Sequence, residues 1–423
     1  MLKVLVNAYA CSPNMGSEPG MGWNWCMNLA KYCELFIITE GEFRDKIEAV
    51  VPTLPQGANM HFYYNPVPEK VRQMCWNQGD WRFYKYYKDW QKKTADKARD
   101  ICEKEKIDIL HQLNMIGFRE PGYLWKVSRE TGIPFVWGPV DAKESFPMAY
   151  TNGASLKTKF FLLLKNIITK CQLRYGKRVH EAAQTASLVL SASSNSVISF
   201  KKYFDIESPL MNETGTYPID NQKNTCDKRS SFDILWVGKT DFRKQLTLAI
   251  KSVAATCHPN VKLHIVGGGD MQEYLQVAQS VGIADNCIVH GSVSHDEVLK
   301  LMRDSDLFLF TSVAEGTPHV VLEAIGCGLP VLCFNTCGQG DCVNHEVGIK
   351  IPLSDPKQSE MDFAEKIEFL LEHRDVLTQM SGNCKKRAEE LSWDNKAKQM
   401  QNLYKRLLTK NNLNILNLNF EEL

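Results

Sequence analysis

No stretch of this sequence reaches the ~18 consecutive apolar residues that a membrane-spanning helix requires. Net charge is nearly absent as well. Fifty Lys and Arg against 49 Asp and Glu leave a formal +1, so no global field recruits nucleic acid or anionic lipid, and electrostatic docking must be local. The opening Met1-Leu-Lys-Val-Leu-Val-Asn7 passes straight into a strand pattern without the cleavage region of a signal peptide, so a cytoplasmic protein is expected. The cluster Cys327, Cys333, Cys337 and Cys342 contains no C-x2-C pair, which argues against zinc. The fourteen cysteines are scattered through strand and helix patterns, as reduced and mostly buried thiols would be. Short internal repeats and low-complexity tracts are lacking. The glycine turn Gly267-Gly-Gly-Asp270 fails the dinucleotide fingerprint because residue 272 is glutamine.

What is present is a chain of 423 residues, 44% hydrophobic and 23% charged, which is too long for one ordinary core. Strand-like and helix-like segments alternate twice over, predicting two α/β domains with doubly wound parallel sheets. The first series comprises Lys3–Ala8, Leu35–Thr39, His61–Tyr64, Ile109–His111, Phe135–Gly138 and Leu188–Ser191. The second comprises Phe232–Gly238, Leu263–Gly267, Cys287–His290, Leu307–Thr311 and Val331–Phe334. The polar stretch Asn212–Ser231 reads as a linker. The expected division is therefore an N-terminal domain over 1–211, a linker over 212–231, a C-terminal domain over 232–391 and a closing segment over 392–423. In that closing segment Ser392 suits an N-cap, and apolar residues recur at helical spacing to Lys410.

The densest chemical signal is Glu315-Gly-Thr-Pro-His-Val-Val-Leu-Glu323. An apolar strand precedes it, Pro318 suits the first turn of a helix, and the amides of His319, Val320 and Val321 would open that helix. Such a terminus attracts anions. A carboxylate on either side is poorly suited to a phosphate but well suited to sugar and ribose hydroxyls. The pattern fits a sugar nucleotide, with diphosphate on the amides near Thr317 to Val321, ribose on Glu323 and donor sugar on Glu315. A capped helix with two solvated acids would carry the same spacing.

With Val321-Leu-Glu-Ala-Ile-Gly-Cys-Gly-Leu-Pro-Val331 following, the motif resembles the Glu-x7-Glu signature of retaining glycosyltransferases of family 4. Three further segments match in order: Ile234-Leu-Trp-Val-Gly-Lys-Thr-Asp-Phe-Arg-Lys244, Leu263-His-Ile-Val-Gly-Gly-Gly-Asp270 and Val289-His-Gly-Ser-Val293. The resemblance implies the GT-B fold, two Rossmann-like domains facing across a cleft, with the closing helix returning to the first. It implies that Gly238, Lys239 and Lys244 serve the donor diphosphate, where the family usually has arginine first and glycine after the second cation. This chain has Lys239 and Gln245, and Arg243 is a candidate for the missing guanidinium. It implies that backbone from His290 to Val293 lines the base, with no chemical role for the histidine. It also implies that the loop at Gly16 approaches the donor, and that a histidine near His111, at the end of an Ile107–Leu110 strand, touches sugar or acceptor. Ordinary βα turns and a core histidine are the alternatives.

Several residues stand outside that set. Glu18 reads as an acceptor-side or capping group, and Arg119, Glu120, Asp141 and Lys143 are candidates for the acceptor pocket. Asp304-Ser-Asp306 spells a metal-binding D-x-D but precedes its strand, so no essential metal is expected. Two basic-aromatic tracts, Glu69–Lys93 and Lys157–Arg178, suit either an acceptor or membrane surface, or core helices with solvated outer faces.

These features together predict a retaining hexosyltransferase acting from a UDP- or GDP-linked donor, without cofactor or metal. The acceptor would be a hydroxyl of a glycan or lipid-linked glycan, in bacterial surface polysaccharide synthesis, in the cytoplasm or at the inner membrane face. A nucleotide-sugar 2-epimerase of the same fold and an inactive scaffold subunit are the rivals.

Overall fold

The computed structural model describes residues 1–77, 80–217 and 231–410. The chain divides into two compact units. Unit 1 comprises Met1–Glu144, Lys170–Glu213 and Trp393–Leu423, and unit 2 comprises Ser145–Thr169 and Thr214–Ser392.

Unit 1 holds strands β1 (Leu2–Ala8), β2 (Cys33–Thr39), β3 (Met60–Tyr64), β4 (Ile109–Asn114), β5 (Phe135–Val140) and β6 (Leu188–Ser191). They form one parallel sheet in the order β3-β2-β1-β4-β5-β6. Side chains alternate across it. Leu5 and Leu110 enter one core with Trp90, Trp125 and Trp137, while Val4, Val6 and Ile109 enter the other with Trp25 and Leu29. Helices on both faces exclude water, which is why the strands read as continuous apolar runs.

Unit 2 repeats the arrangement with β7 (Phe232–Val237), β8 (Val261–Val266), β9 (Cys287–Gly291), β10 (Leu307–Phe310), β11 (Val331–Phe334) and β12 (Gly348–Ile351). Its order is β12-β11-β10-β7-β8-β9, again parallel throughout. Counted from its own first strand, this is the same sequence of crossovers as in unit 1. The order reverses between β1 and β4 in one sheet and between β7 and β10 in the other. Ligands of such sheets bind beyond the carboxyl ends of the strands at that reversal. The fold is thus the doubly wound α/β pair expected from the alternation.

Three features depart from the sequence-based expectation. Strand β12 was absent from it, since Gly-Ile-Lys-Ile is short and polar at Lys350, as an edge strand can be. Strand β4 runs on past His111 to Asn114, because its polar end is satisfied internally. Asn7 Nδ2 donates to Gln91 Oε1 (2.7 Å) and Gln112 Oε1 (2.8 Å), and Gln112 Nε2 donates to the Asn114 carbonyl (2.9 Å). Residues 145–169, expected in the first domain, belong to unit 2. There Tyr150 meets Ser359 through its hydroxyl (2.8 Å) and Phe334 through its ring, and Phe146 packs on Phe242. Most of the expected linker, 218–230, lies outside the described residues.

The helix Trp393–Lys410 completes unit 1. Trp393, Ala397, Met400, Leu403 and Tyr404 form a helical stripe buried in the core, with Trp393 edge-on to Trp25 at 5.6 Å. Among the described residues no helix is long and apolar enough to cross a membrane. Trp393→Ala should leave a large void in unit 1 and cost ~3–5 kcal/mol. Chemical denaturation would show this as an early transition, monitored by a fluorophore placed in unit 1.

Candidate donor and acceptor sites

In unit 2 the chain leaves β7 through Gly238 and leaves β10 through Thr311, on the two sides of the order reversal. Hydrogen bonds tie the two loops together and tie Thr311 back to β7. Thr311 Oγ1 donates to the Lys244 carbonyl (2.8 Å) and receives the Trp236 indole N–H (3.1 Å). Ser312 Oγ donates to the Arg243 carbonyl (3.2 Å), and the Val313 amide donates to the same carbonyl (3.0 Å). The strap brings Lys244 Nζ to 2.6 Å from Glu315 Oε1, with both side chains about one-fifth exposed. Ser312 Oγ also hydrogen-bonds Glu315 Oε1. Sequence reading paired Lys244 with phosphate and Glu315 with sugar, and the structure sets them in direct contact. It missed Thr311 and Ser312, although two hydroxyls between a strand and a motif glutamate were a visible signal.

Gln245 stands where the resemblance leads one to expect glycine, and it adopts the conformation glycine would, with φ 53° and ψ 44°. That left-handed geometry costs a non-glycine residue ~1–2 kcal/mol. Its amide offsets this by donating to the Phe242 (2.6 Å) and Tyr150 (2.8 Å) carbonyls. Arg243 does not supply a free guanidinium. Asp241 holds it through Nε and Nη2 (3.0 and 2.6 Å), because the two residues flank one short turn. Lys239 is exposed and makes no ion pair among the described residues.

The loops after β7 and β8 are pressed together. A Cβ on Gly267, whose φ is +145°, would lie 1.7 Å from the Gly238 carbonyl oxygen, and one on Gly269 would strike Thr240 Oγ1 at 1.6 Å. The glycines of 267–269 thus permit backbone contact, as the failed dinucleotide motif left open. Gly267 N–H donates to the Gly291 carbonyl (2.9 Å), drawing in the His290–Val293 turn. His290 itself closes a chain, Asp233 to His264 (3.1 Å) to His290 (3.0 Å), and burial with the neighbouring His264 lowers its pKa. Val293 is half-buried.

Helix His319–Gly326 starts one residue later than Pro318 suggested, with Pro318 as its N-cap and no side-chain cap. The His319 and Val320 amides have no acceptor among the described residues. Val321 N–H, expected to be open too, donates to the Pro318 carbonyl (3.1 Å), because the first turn is tight. His319 sits 3.3 Å from Thr214 Oγ1. Glu323 lies one turn in, and His295, a residue the sequence gave no reason to single out, contacts its Oε1 at 3.0 Å. Thr317 is buried under Gly338, whose amide donates to the Gly316 carbonyl (3.0 Å). The D-x-D lies at the opposite end of the sheet. Asp306 precedes β10, and its carboxylate accepts the Asp233 amide (2.9 Å).

In unit 1, His111 is a correction. Because β4 extends to Asn114, His111 lies mid-strand and fully buried, bonded to Tyr404 Oη (2.6 Å) and the Gly138 carbonyl (2.5 Å). Burial holds its pKa down at about 4. It is a core residue with both ring nitrogens occupied. Glu120 is likewise buried and grips Arg178 with both oxygens, so it braces unit 1. Arg119 donates to Gln172 Oε1 (2.8 Å). Asp141 accepts from Ser196 Oγ and the Lys143 amide, both at 3.2 Å.

Gly16 caps helix Ser17–Leu29 with extended backbone, and nothing lies within 4 Å of where its Cβ would be. Glu18 bridges the reversal in this sheet much as Glu315 does in the other, its Oε1 accepting the Ile116 amide (3.2 Å) from the loop after β4. Its Oε2 is buried without a partner among the described residues. Burial pushes this carboxyl up to about 7 against the pull of the Ile116 N–H, and Glu213 and Asp141 add to the rise. Glu18 lines a cavity of about 220 Å³ with Tyr9, Glu40, Phe43 and Trp76. In the tract 69–93, Phe83, Tyr87 and Trp90 are core, while Trp76, Trp81, Tyr84 and Tyr86 are exposed.

Known proteins resemble this chain in sequence over its C-terminal half and in fold. Residues 220–390 match the family described as "Glycosyl transferases group 1". The chain is 31% identical over 176 residues to "Uncharacterized glycosyltransferase MJ1607" of Methanocaldococcus jannaschii, covering 41% of this chain and 44% of that protein. It is 32% identical over 123 residues to "Lipopolysaccharide glucosyltransferase WaaG" of Escherichia coli strain K12, covering 28% and 32%. The chain thus spans less than half the length of these curated relatives. Among solved structures, Anabaena HepE in complex with UDP superposes with a TM-score of 0.60 at 15% identity. The outer core galactosyltransferase WaaB superposes at 0.63, also at 15% identity, and both likenesses cover 96% of this chain and all of the other. The fold is GT-B.

A raised carboxyl pKa means that the folded state loses stability as pH climbs from about 4.5 through about 7. Glu18→Gln keeps an oxygen for the Ile116 amide and removes the titration. Its melting temperature should gain on the parent across that interval and hold the gain above it, as read by calorimetry at stepped pH.

Proposed function

We propose that this protein is a retaining hexosyltransferase that moves a sugar from a nucleoside diphosphate donor to a hydroxyl of a glycan or lipid-linked glycan. The observation that carries this is the Lys244–Glu315 contact at the strand-order reversal, beside a helix whose first two amides have no acceptor among the described residues. It lies inside the segment that matches group 1 glycosyl transferases. The two partners of this ion pair suit the two halves of one ligand. The donor's diphosphate would take Lys244, the exposed Lys239 and the His319 and Val320 amides, and the sugar hydroxyls would take Glu315. Glu323 would hold the ribose, and the turn His290–Val293 the base. HepE was solved with UDP-glucose, and a donor of that class is the one we infer here.

The chemistry follows from charge. As the bond from C1 to the diphosphate oxygen breaks, negative charge grows on the leaving group and the lysines neutralise it. The acceptor oxygen bonds C1 on the same face, and the departing diphosphate takes its proton, so the anomeric configuration is kept. Lys239 and Lys244 supply the positive charge, and the reaction is proposed to need no divalent ion. In unit 1, room at Gly16 and the cavity lined by Glu18 and Trp76 are assigned to donor and acceptor, respectively. The named relatives are transferases, which does not favour the epimerase reading.

Glu315→Ala should lower transfer by roughly 10²–10³-fold while calorimetry still detects the nucleoside diphosphate, since Lys244 is then released. Undiminished turnover would refute the assignment. Lys244→Ala should weaken both turnover and diphosphate binding, and EDTA should leave turnover of the parent unchanged. Donor supplied alone should yield no epimer.

A further inference from the structure

Helix Leu156–Tyr175 carries its apolar surface on the wrong side for a helix of a globular domain. Only Leu162, Thr169 and Leu173 are buried, with half-buried Asn166 between them, a stripe one residue wide. Leu156, Phe160, Phe161, Leu163, Leu164, Ile167 and Ile168 are exposed, Phe160 by 69% and Phe161 by 61%. At 3.6 residues per turn these seven fall in one arc about 160° wide, centred opposite the buried stripe. A solvent-facing arc of a surface helix is ordinarily polar, and a contiguous apolar one marks a contact.

The rims of the arc say what the contact is. Lys159 and Lys170 border one edge and Lys165 the other, Lys157 and Arg174 stand near the ends, and the helix has no acid. Glu144 pairs with Lys170 (3.4 Å) but is shared with Lys202 (2.8 Å), so it does not cancel the basic rim. Lysine stems can run along apolar surface while the ammonium reaches an anionic layer beside it. A second copy laid on this face would set lysine rows against each other, which disfavours self-association. A bilayer with anionic headgroups meets both demands, taking the apolar arc into its acyl boundary and the lysines into its headgroups.

We propose that this helix docks the protein flat on an anionic membrane surface, with Phe160, Phe161, Leu164 and Ile167 entering the acyl boundary. The proposal stands apart from the transferase reading, because it uses no residue of the donor or acceptor sites. The full chain is sedimented with vesicles of phosphatidylcholine alone and of equal parts phosphatidylcholine and phosphatidylglycerol. Binding should be at least roughly tenfold stronger to the mixed vesicles and weaken with salt. The triple variant Phe160→Ser, Phe161→Ser, Ile167→Ser should lose that binding with an unchanged melting temperature, since the side chains are exposed. Lys159→Gln with Lys170→Gln should bind mixed vesicles several-fold less well and with a shallower salt dependence. Three results would overturn the proposal. They are no binding to mixed vesicles, undiminished binding by the triple variant, or a dimer in light scattering that the triple variant converts to monomer.

Discussion

The tie between the loop after β7 and the loop after β10 is the constraint on which unit 2 depends. Parallel sheets of this order open a crevice where neighbouring strands send their connections to opposite sides. Left to themselves, the loops there would diverge. Thr311, Ser312 and Val313 bind the carbonyls of Arg243 and Lys244, so the two sides are held at hydrogen-bond distance. A cation and a carboxylate then meet at a place set by backbone and not by their own long side chains. Preorganisation of that kind is what stabilises developing charge without a reorganisation cost during reaction.

Unit 1 uses the same reversal differently. Its loops are joined by Glu18, a carboxylate on the Ile116 amide, and the neighbouring polar groups are bonded in part to one another. Asn7 donates to both Gln91 and Gln112, and Glu120 and Arg178 neutralise each other. Glu18 Oε2 and Asn7 Oδ1 are among the buried side-chain atoms without a partner among the described residues. A buried acid of that sort costs stability once ionised, and this one lies on the cavity wall.

The strands and the acid-flanked helix were readable because apolar runs and a motif at fixed spacing report local structure. Partnerships across long separations were not. His111 looked like a strand-end histidine because Gln112 and Asn114 are polar, and nothing local discloses that Tyr404, 293 residues away, fills its Nδ1. Arg243 looked free because its neighbour Asp241 reads as an ordinary turn residue. Residues 145–169 looked like part of the first domain because they follow β5 in order, whereas the Tyr150 carbonyl is bonded by Gln245. Gln245 is instructive, since the departure from an expected glycine was visible and the left-handed backbone survived it.

The helix Trp393–Lys410 bears on how the protein is made. Synthesis proceeds from the N-terminus, so the first sheet leaves the ribosome long before the segment that covers it. Unit 2 has all its strands once Ile351 has emerged, but unit 1 must keep the surface around Trp25 and Leu29 uncovered until residues beyond 400 are out. Unit 1, translated first, therefore closes after unit 2 has its strands, and a nascent chain stalled before residue 393 would display the apolar surface that chaperones recognise.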